Sequence, residues 1–158
     1  MNSQQSYIVS FTVLGIVVMM TYALYWPAYD MWAGLNARCA FCLWSISALL
    51  SAVGFLNLTF KLIFDETSDE VHTWTILPYS LFLFASALYM PFASNKYILS
   101  TLFVLLAAAV SACVLVYASS LLYGWGADTV LVLFLAVHCT VVDLCYWGST
   151  WVNQLRDI

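Results

Sequence analysis

The sequence predicts an all-α integral membrane protein: a compact bundle of five transmembrane helices, or four if the third and fourth segments form one broken helix. Three observations predict it. Of the 158 residues, 65% are hydrophobic and 8% charged, against roughly 45–50% apolar and about 25% charged in soluble domains. A soluble core this rich in Leu, Val and Phe would leave too little polar surface to cover it, whereas lipid accepts apolar residues on every face of a helix. The apolar residues also fall into long runs, each near the roughly 20 residues needed to cross about 30 Å of hydrocarbon as a helix. A transmembrane barrel would show short segments of alternating polarity instead.

The runs extend from Tyr7 to Trp26, Cys39 to Phe64, Trp74 to Ala93, Tyr97 to Tyr123 and Thr129 to Val152. The first lacks a basic leader and is followed by bulky Trp26-Pro27 instead of small residues, so it is expected to remain as a span and not to be removed as a signal peptide. After it, Trp26-Pro27-Ala28-Tyr29-Asp30-Met31-Trp32 carries enough aromatic bulk to cap one mouth of the bundle.

The second run carries the small-residue pairs Ser47/Ser51 and Ala48/Ala52, and the fourth carries Ala107/Ser111 and Ala108/Ala112. In lipid, close approach of small residues replaces the hydrophobic effect as a packing force, so these pairs mark the faces expected to meet neighbouring helices. Between the second and third runs, Asp65-Glu66-Thr67-Ser68-Asp69-Glu70 reads as a solvated loop, because it lacks the spacing of a calcium loop. In the third run, Pro78 is expected within about the first turn and Pro91 at a kink or end. Only Ser94-Asn95-Lys96 separates the third and fourth runs, which suits a tight hairpin.

Five spans place the termini on opposite sides of the membrane. Arg38, Lys96 and Arg156 then share the C-terminal side and Lys61 lies near the other, which favours the N-terminus outside and the C-terminus cytoplasmic. Without an internal repeat or long linker, residues 1–158 form a single polytopic membrane domain. The net charge of −4 and the absence of a basic stripe exclude a nucleic-acid partner. Trp26, Trp32, Trp74, Trp125 and Trp151 lie near span ends and are expected as interfacial anchors, whereas Trp44 and Trp147 lie deeper, where an indole N–H needs a partner.

The fifth run holds the main chemical oddity. His138 and Asp143 lie on either side of its midpoint, where a charged group costs a few kcal/mol or more. On an α-helix, five residues at about 100° each separate them by about 140°, so they are expected to address different neighbours. Asp143 would share its stripe with Thr140, Trp147 and Thr150. With no Lys or Arg at midspan, a neutral acid bonded to Trp44 or Trp147 N–H, a hydroxyl, or His138 of another copy is the expected resting state.

Of the five cysteines, Cys39 and Cys42 form a C-x-x-C at the entrance to the second span. Arg38-Cys39-Ala40-Phe41-Cys42 resembles the motif that membrane disulfide-forming quinone oxidoreductases carry at the same place, over about 25 residues. The resemblance implies a redox pair. The chain departs from that family in having no second loop pair and in carrying Leu43-Trp44-Ser45 where the family has an arginine. Thr140-Val-Val-Asp-Leu-Cys-Tyr-Trp147 resembles the last-helix motif of the translocator protein family, without that family's Pro- and Trp-rich entry to the second helix.

Three functions follow as expectations. The first is a non-enzymatic protein that binds or passes a small ligand or proton through a pocket of Asp143, His138, Thr140, Trp147 and Trp44. The second is a structural or assembly subunit of a larger membrane complex or homo-oligomer, and the third a thiol-disulfide oxidoreductase using Cys39 and Cys42. The partners expected are the lipid bilayer and a small amphipathic ligand, with no cofactor and no metal.

Overall fold

The computed structural model describes residues 3–25, 38–64 and 69–156. They form α1 (Ser3–Tyr25), α2 (Arg38–Phe64), α3 (Asp69–Ser94), α4 (Ile98–Tyr123), α5 (Ala127–Val137), a π-helical segment π1 (His138–Trp147) and α6 (Gly148–Arg156). The last three run on as one rod, called the fifth span below. Among the described residues, five helices are long and apolar enough to cross a membrane: Gln5–Tyr25, Ala40–Phe64, Trp74–Ser94, Ile98–Tyr123 and Ala127–Leu155. Helices suit that environment because each satisfies its backbone internally. The aromatic segment Trp26–Trp32 and the acidic residues 65–68 lie outside the described residues.

The third and fourth runs are two helices joined by a hairpin. Lys96 turns the chain with φ +60°. The Asn95 N–H donates to Pro91 O at 3.2 Å, Lys96 N–H to Ala93 O at 3.0 Å and Tyr97 N–H to Phe92 O at 3.0 Å, which closes the end of α3. Pro91 therefore sits in the last turn. Pro78, by contrast, lies inside α3 and not in its first turn, because the helix starts at Asp69, ahead of the apolar run.

Around the molecule, α1 packs on α3, α3 on α4, α4 on the fifth span, and the fifth span on α2, while α1 and α2 touch little. Among the described residues, the ring of helices is thus left open between its two N-terminal members. Large apolar side chains cover the outside: Leu99 is 83% exposed, Leu77 74% and Phe103 71%. The interior holds Tyr79 edge-on to Tyr7 at 5.2 Å and stacked on Phe55 at 5.3 Å. On α4, Ala108, Ser111 and Ala112 are buried, as their small-residue pattern suggested.

On α2 the small residues of the two pairs do not all meet a neighbouring helix. Ser47 reaches the fifth span, whereas Ala48 and Ala52 line the gap beside α1. Three residues beyond Ser51 the packing face continues with Gly54, where an added Cβ would collide with the Leu131 carbonyl of α5. Here a glycine is required by close approach of two backbones. The same pair of helices is tied again at one end, where Lys61 Nζ lies 3.2 Å from Asp128 Oδ2 and Asn57 Nδ2 donates to Asp128 Oδ1 at 3.0 Å. Lys61 also sits 5.2 Å from the centroid of the Tyr123 ring.

The tryptophan assignments change at one position. Trp125 is exposed and Trp74 partly so, as anchors should be, but Trp151 is 1% exposed. It stacks on Trp147 at 5.2 Å and 13°, since α6 extends the fifth span and buries the next ring of the same face. Trp26 and Trp32 lie outside the described residues.

Candidate functional site

The site begins with the backbone of π1. Hydrogen bonds in a π-helix close from residue i to i+5 instead of i+4, so residues five apart become the stacked neighbours. The Gly148 N–H, for example, donates to Asp143 O. This winding overturns the separation expected from α-helical geometry: His138 Nε2 lies 3.3 Å from Asp143 Oδ2. Both side chains are largely enclosed, at 8% and 15% exposure.

Antiparallel α2 completes the arrangement. The Trp44 Nε1–H donates to Asp143 Oδ1 at 2.9 Å, and Ser47, one turn further along α2, places its Oγ 2.9 Å from His138 Nδ1. The Ser47 hydroxyl also lies 2.9 Å from the Trp44 carbonyl, to which it donates. Its oxygen is then free to accept the Nδ1–H of His138, which leaves Nε2 and Asp143 Oδ2 sharing one proton. The result is a closed loop that starts and ends on Trp44. Whether the shared proton rests on nitrogen or oxygen, the four residues together carry no net charge. Among the described residues, no lysine or arginine lines the space beside them.

That space is a cavity of about 1180 Å³, bounded by α1, α2, α3, α4 and the fifth span. His138 and Asp143 form its polar end together with Trp44, while Phe11, Met19, Phe55 and Phe82 supply apolar wall. It opens sideways through the gap between α1 and α2, where the lining residues Ile16, Met19 and Leu56 are exposed on the outer surface. Tyr22 and Tyr89 line the same cavity.

Of the residues expected at the pocket, three meet there: Asp143, His138 and Trp44. Trp147 does not line the cavity; its ring meets Tyr89 edge-on at 5.3 Å and stacks on Trp151. Thr140 is also absent from the lining, and its buried Oγ1 has no hydrogen-bond partner among the described residues. The α-helical stripe through Asp143 is not kept: π winding turns Thr140, three residues before it, further from its face, while Trp147 is taken up by its ring contacts with Tyr89 and Trp151. Ser47, Tyr22 and Tyr89 were not expected.

Comparison with protein-family models, curated proteins and solved structures finds no match for the chain. The two resemblances seen in the sequence therefore stand on their short motifs alone. Cys42 is a free, exposed thiol, and the side chain of Cys39 lies outside the described residues. Among the described residues, no three His, Cys, Asp or Glu side chains converge.

Proposed function

We propose that the protein is a small multi-pass membrane protein that binds a small amphipathic ligand within the bilayer, with the head at Asp143 and His138. The observation carrying this reading is the cavity itself. Had the polar loop served only to fasten α2 to the fifth span, a filled core around it would have sufficed. Instead the loop borders a large space with apolar walls and a few convergent polar groups, the usual composition of a ligand site. Its lateral mouth gives a membrane-dissolved ligand a route that avoids water.

In this reading the chain is one five-helix bundle embedded in lipid, with its N-terminus outside and its C-terminus cytoplasmic. Lys96 then faces the cytoplasm and the Lys61–Asp128 pair lies toward the outside, following the charge bias of the sequence. The closed hydrogen-bond loop favours a second reading, the assembly subunit, in which these residues only fix helix packing.

One experiment separates the two. Full-length protein is purified from a native membrane, and the small molecules retained with it are identified by mass spectrometry for the wild type and for Ala52→Phe. This substitution fills the cavity without touching the loop. Ligand binding is supported if a stoichiometric compound accompanies the wild type and is lost from Ala52→Phe; equal retention of all lipids by both proteins contradicts it.

A further inference from the structure

The hydrogen-bonding capacity left over at the polar end selects a class of ligand, and this inference rests on the ligand-binding reading above. In the loop, the Trp44 N–H, the Ser47 O–H, the His138 Nδ1–H and the shared proton between His138 and Asp143 are all engaged. What remains is acceptor capacity, in the second lone pairs of the Asp143 oxygens. The same cavity is lined by Tyr22 and Tyr89, whose phenols can each donate or accept. A head group that both donates to Asp143 and accepts from a tyrosine meets this set.

Anionic heads fit poorly, because among the described residues no cation lines the cavity and a second carboxylate would face Asp143 in a medium of low dielectric. A cationic head would require the loop to lose its shared proton to become a net anion, leaving one of its hydrogen bonds without a donor. A neutral hydroxyl demands neither change. The walls then call for an apolar body, since Phe11, Met19, Phe55 and Phe82 supply much of the remaining lining and the hydroxyls of Ser51 and Ser86 already donate within their own helices, to Ala48 O and Phe82 O. We infer that the cleft between α1 and α2 takes a neutral lipid alcohol, its hydroxyl seated between Asp143 and the tyrosines and its chain reaching out through the lateral mouth.

The test uses the full chain in phosphatidylcholine nanodiscs and three photoreactive probes: hexadecanol, hexadecanoic acid and hexadecylamine, each carrying a mid-chain diazirine. Crosslinks are mapped by peptide mass spectrometry. Hexadecanol is expected to label the inner faces of α1 and α2, around Met19 and Ala52, at least about fivefold above the other two probes. Excess unlabelled hexadecanol should compete for those sites, and both Asp143→Leu and the loop-preserving Ala52→Phe should reduce labelling about fivefold, the scale of one lost hydrogen bond or of steric exclusion. Labelling of the same sites by the acid or the amine at or above the level of the alcohol would overturn the alcohol assignment while leaving the ligand site standing. Labelling by all three probes no stronger than at the outward-facing Leu99 and Phe103 would overturn the site as well.

Discussion

His138 Nε2 and Asp143 Oδ2 lie 3.3 Å apart because the ten residues from His138 to Trp147 are wound as a π-helix. The same two residues on an α-helix would point to different neighbours. The winding thus decides whether the fifth span offers two isolated polar groups or one site.

The loop makes a specific statement about Asp143. With the shared proton on its carboxyl, Asp143→Asn can replace it: the amide oxygen accepts from Trp44 and the amide N–H₂ donates to His138 Nε2. Asp143→Asn should therefore unfold within about 1 kcal/mol of the wild type in detergent titrations, whereas Asp143→Leu, which strands both partners, should lose about 1–3 kcal/mol for each. If Asn proves as damaging as Leu, the pair is ionic and not neutral.

At Gly54 a single methyl group is expected to matter. Gly54→Ala drives a Cβ into the Leu131 carbonyl and forces α2 away from α5, at a cost of about 1–3 kcal/mol by overpacking. Gly15, whose Cβ would meet only Phe11 at 3.9 Å, provides the contrast: Gly15→Ala should be neutral or stabilise by up to about 1 kcal/mol through helix propensity. Equal effects of the two substitutions on unfolding would contradict the close α2–α5 contact.

Lys61 and Asp128 should couple only weakly despite their 3.2 Å separation, because their side chains are 40% and 34% exposed. A double-mutant cycle with Lys61→Met and Asp128→Asn is expected to return less than about 1 kcal/mol, falling further with added salt. A coupling several times larger and insensitive to salt would place the pair in a dry environment.

Much of this architecture was legible in the chain. The five apolar runs gave the spans within a few residues, and the need of a midspan acid for a donor named several candidates, among them Trp44, which supplies it. The stripe Ser47, Ser51, Gly54 could have been read as one packing face, since Gly54 continues it at helical spacing. Lys61 and Asp128 carry opposite charges toward the same end of the bundle, a signal that counting basic residues alone passed over. The π segment was not legible. Every angular inference assumed about 100° per residue, so Thr140 and Trp147 were assigned to the face of Asp143 and His138 was turned away from it. No residue type in His138–Trp147 announces a change of period.

Trp44 should report on the loop independently. Trp44→Phe keeps an aromatic ring but removes the donor to Asp143 Oδ1, and should cost about 1–3 kcal/mol in unfolding. In the Asp143→Leu background the same substitution should have a much smaller effect. Additive losses would mean that the two residues do not share a hydrogen bond.

The most direct measurement is the distance between the two groups in a bilayer. Protein carrying ¹⁵N-labelled histidine and ¹³Cγ-labelled aspartate, reconstituted in lipid, can be examined by solid-state NMR dipolar recoupling, with His138→Ala and Asp143→Leu assigning the signals. The account requires strong dephasing between His138 Nε2 and Asp143 Cγ, matching a separation no longer than the 3.3 Å contact plus one C–O bond. No measurable dipolar coupling between the two, as for residues turned apart on an α-helix, would contradict it.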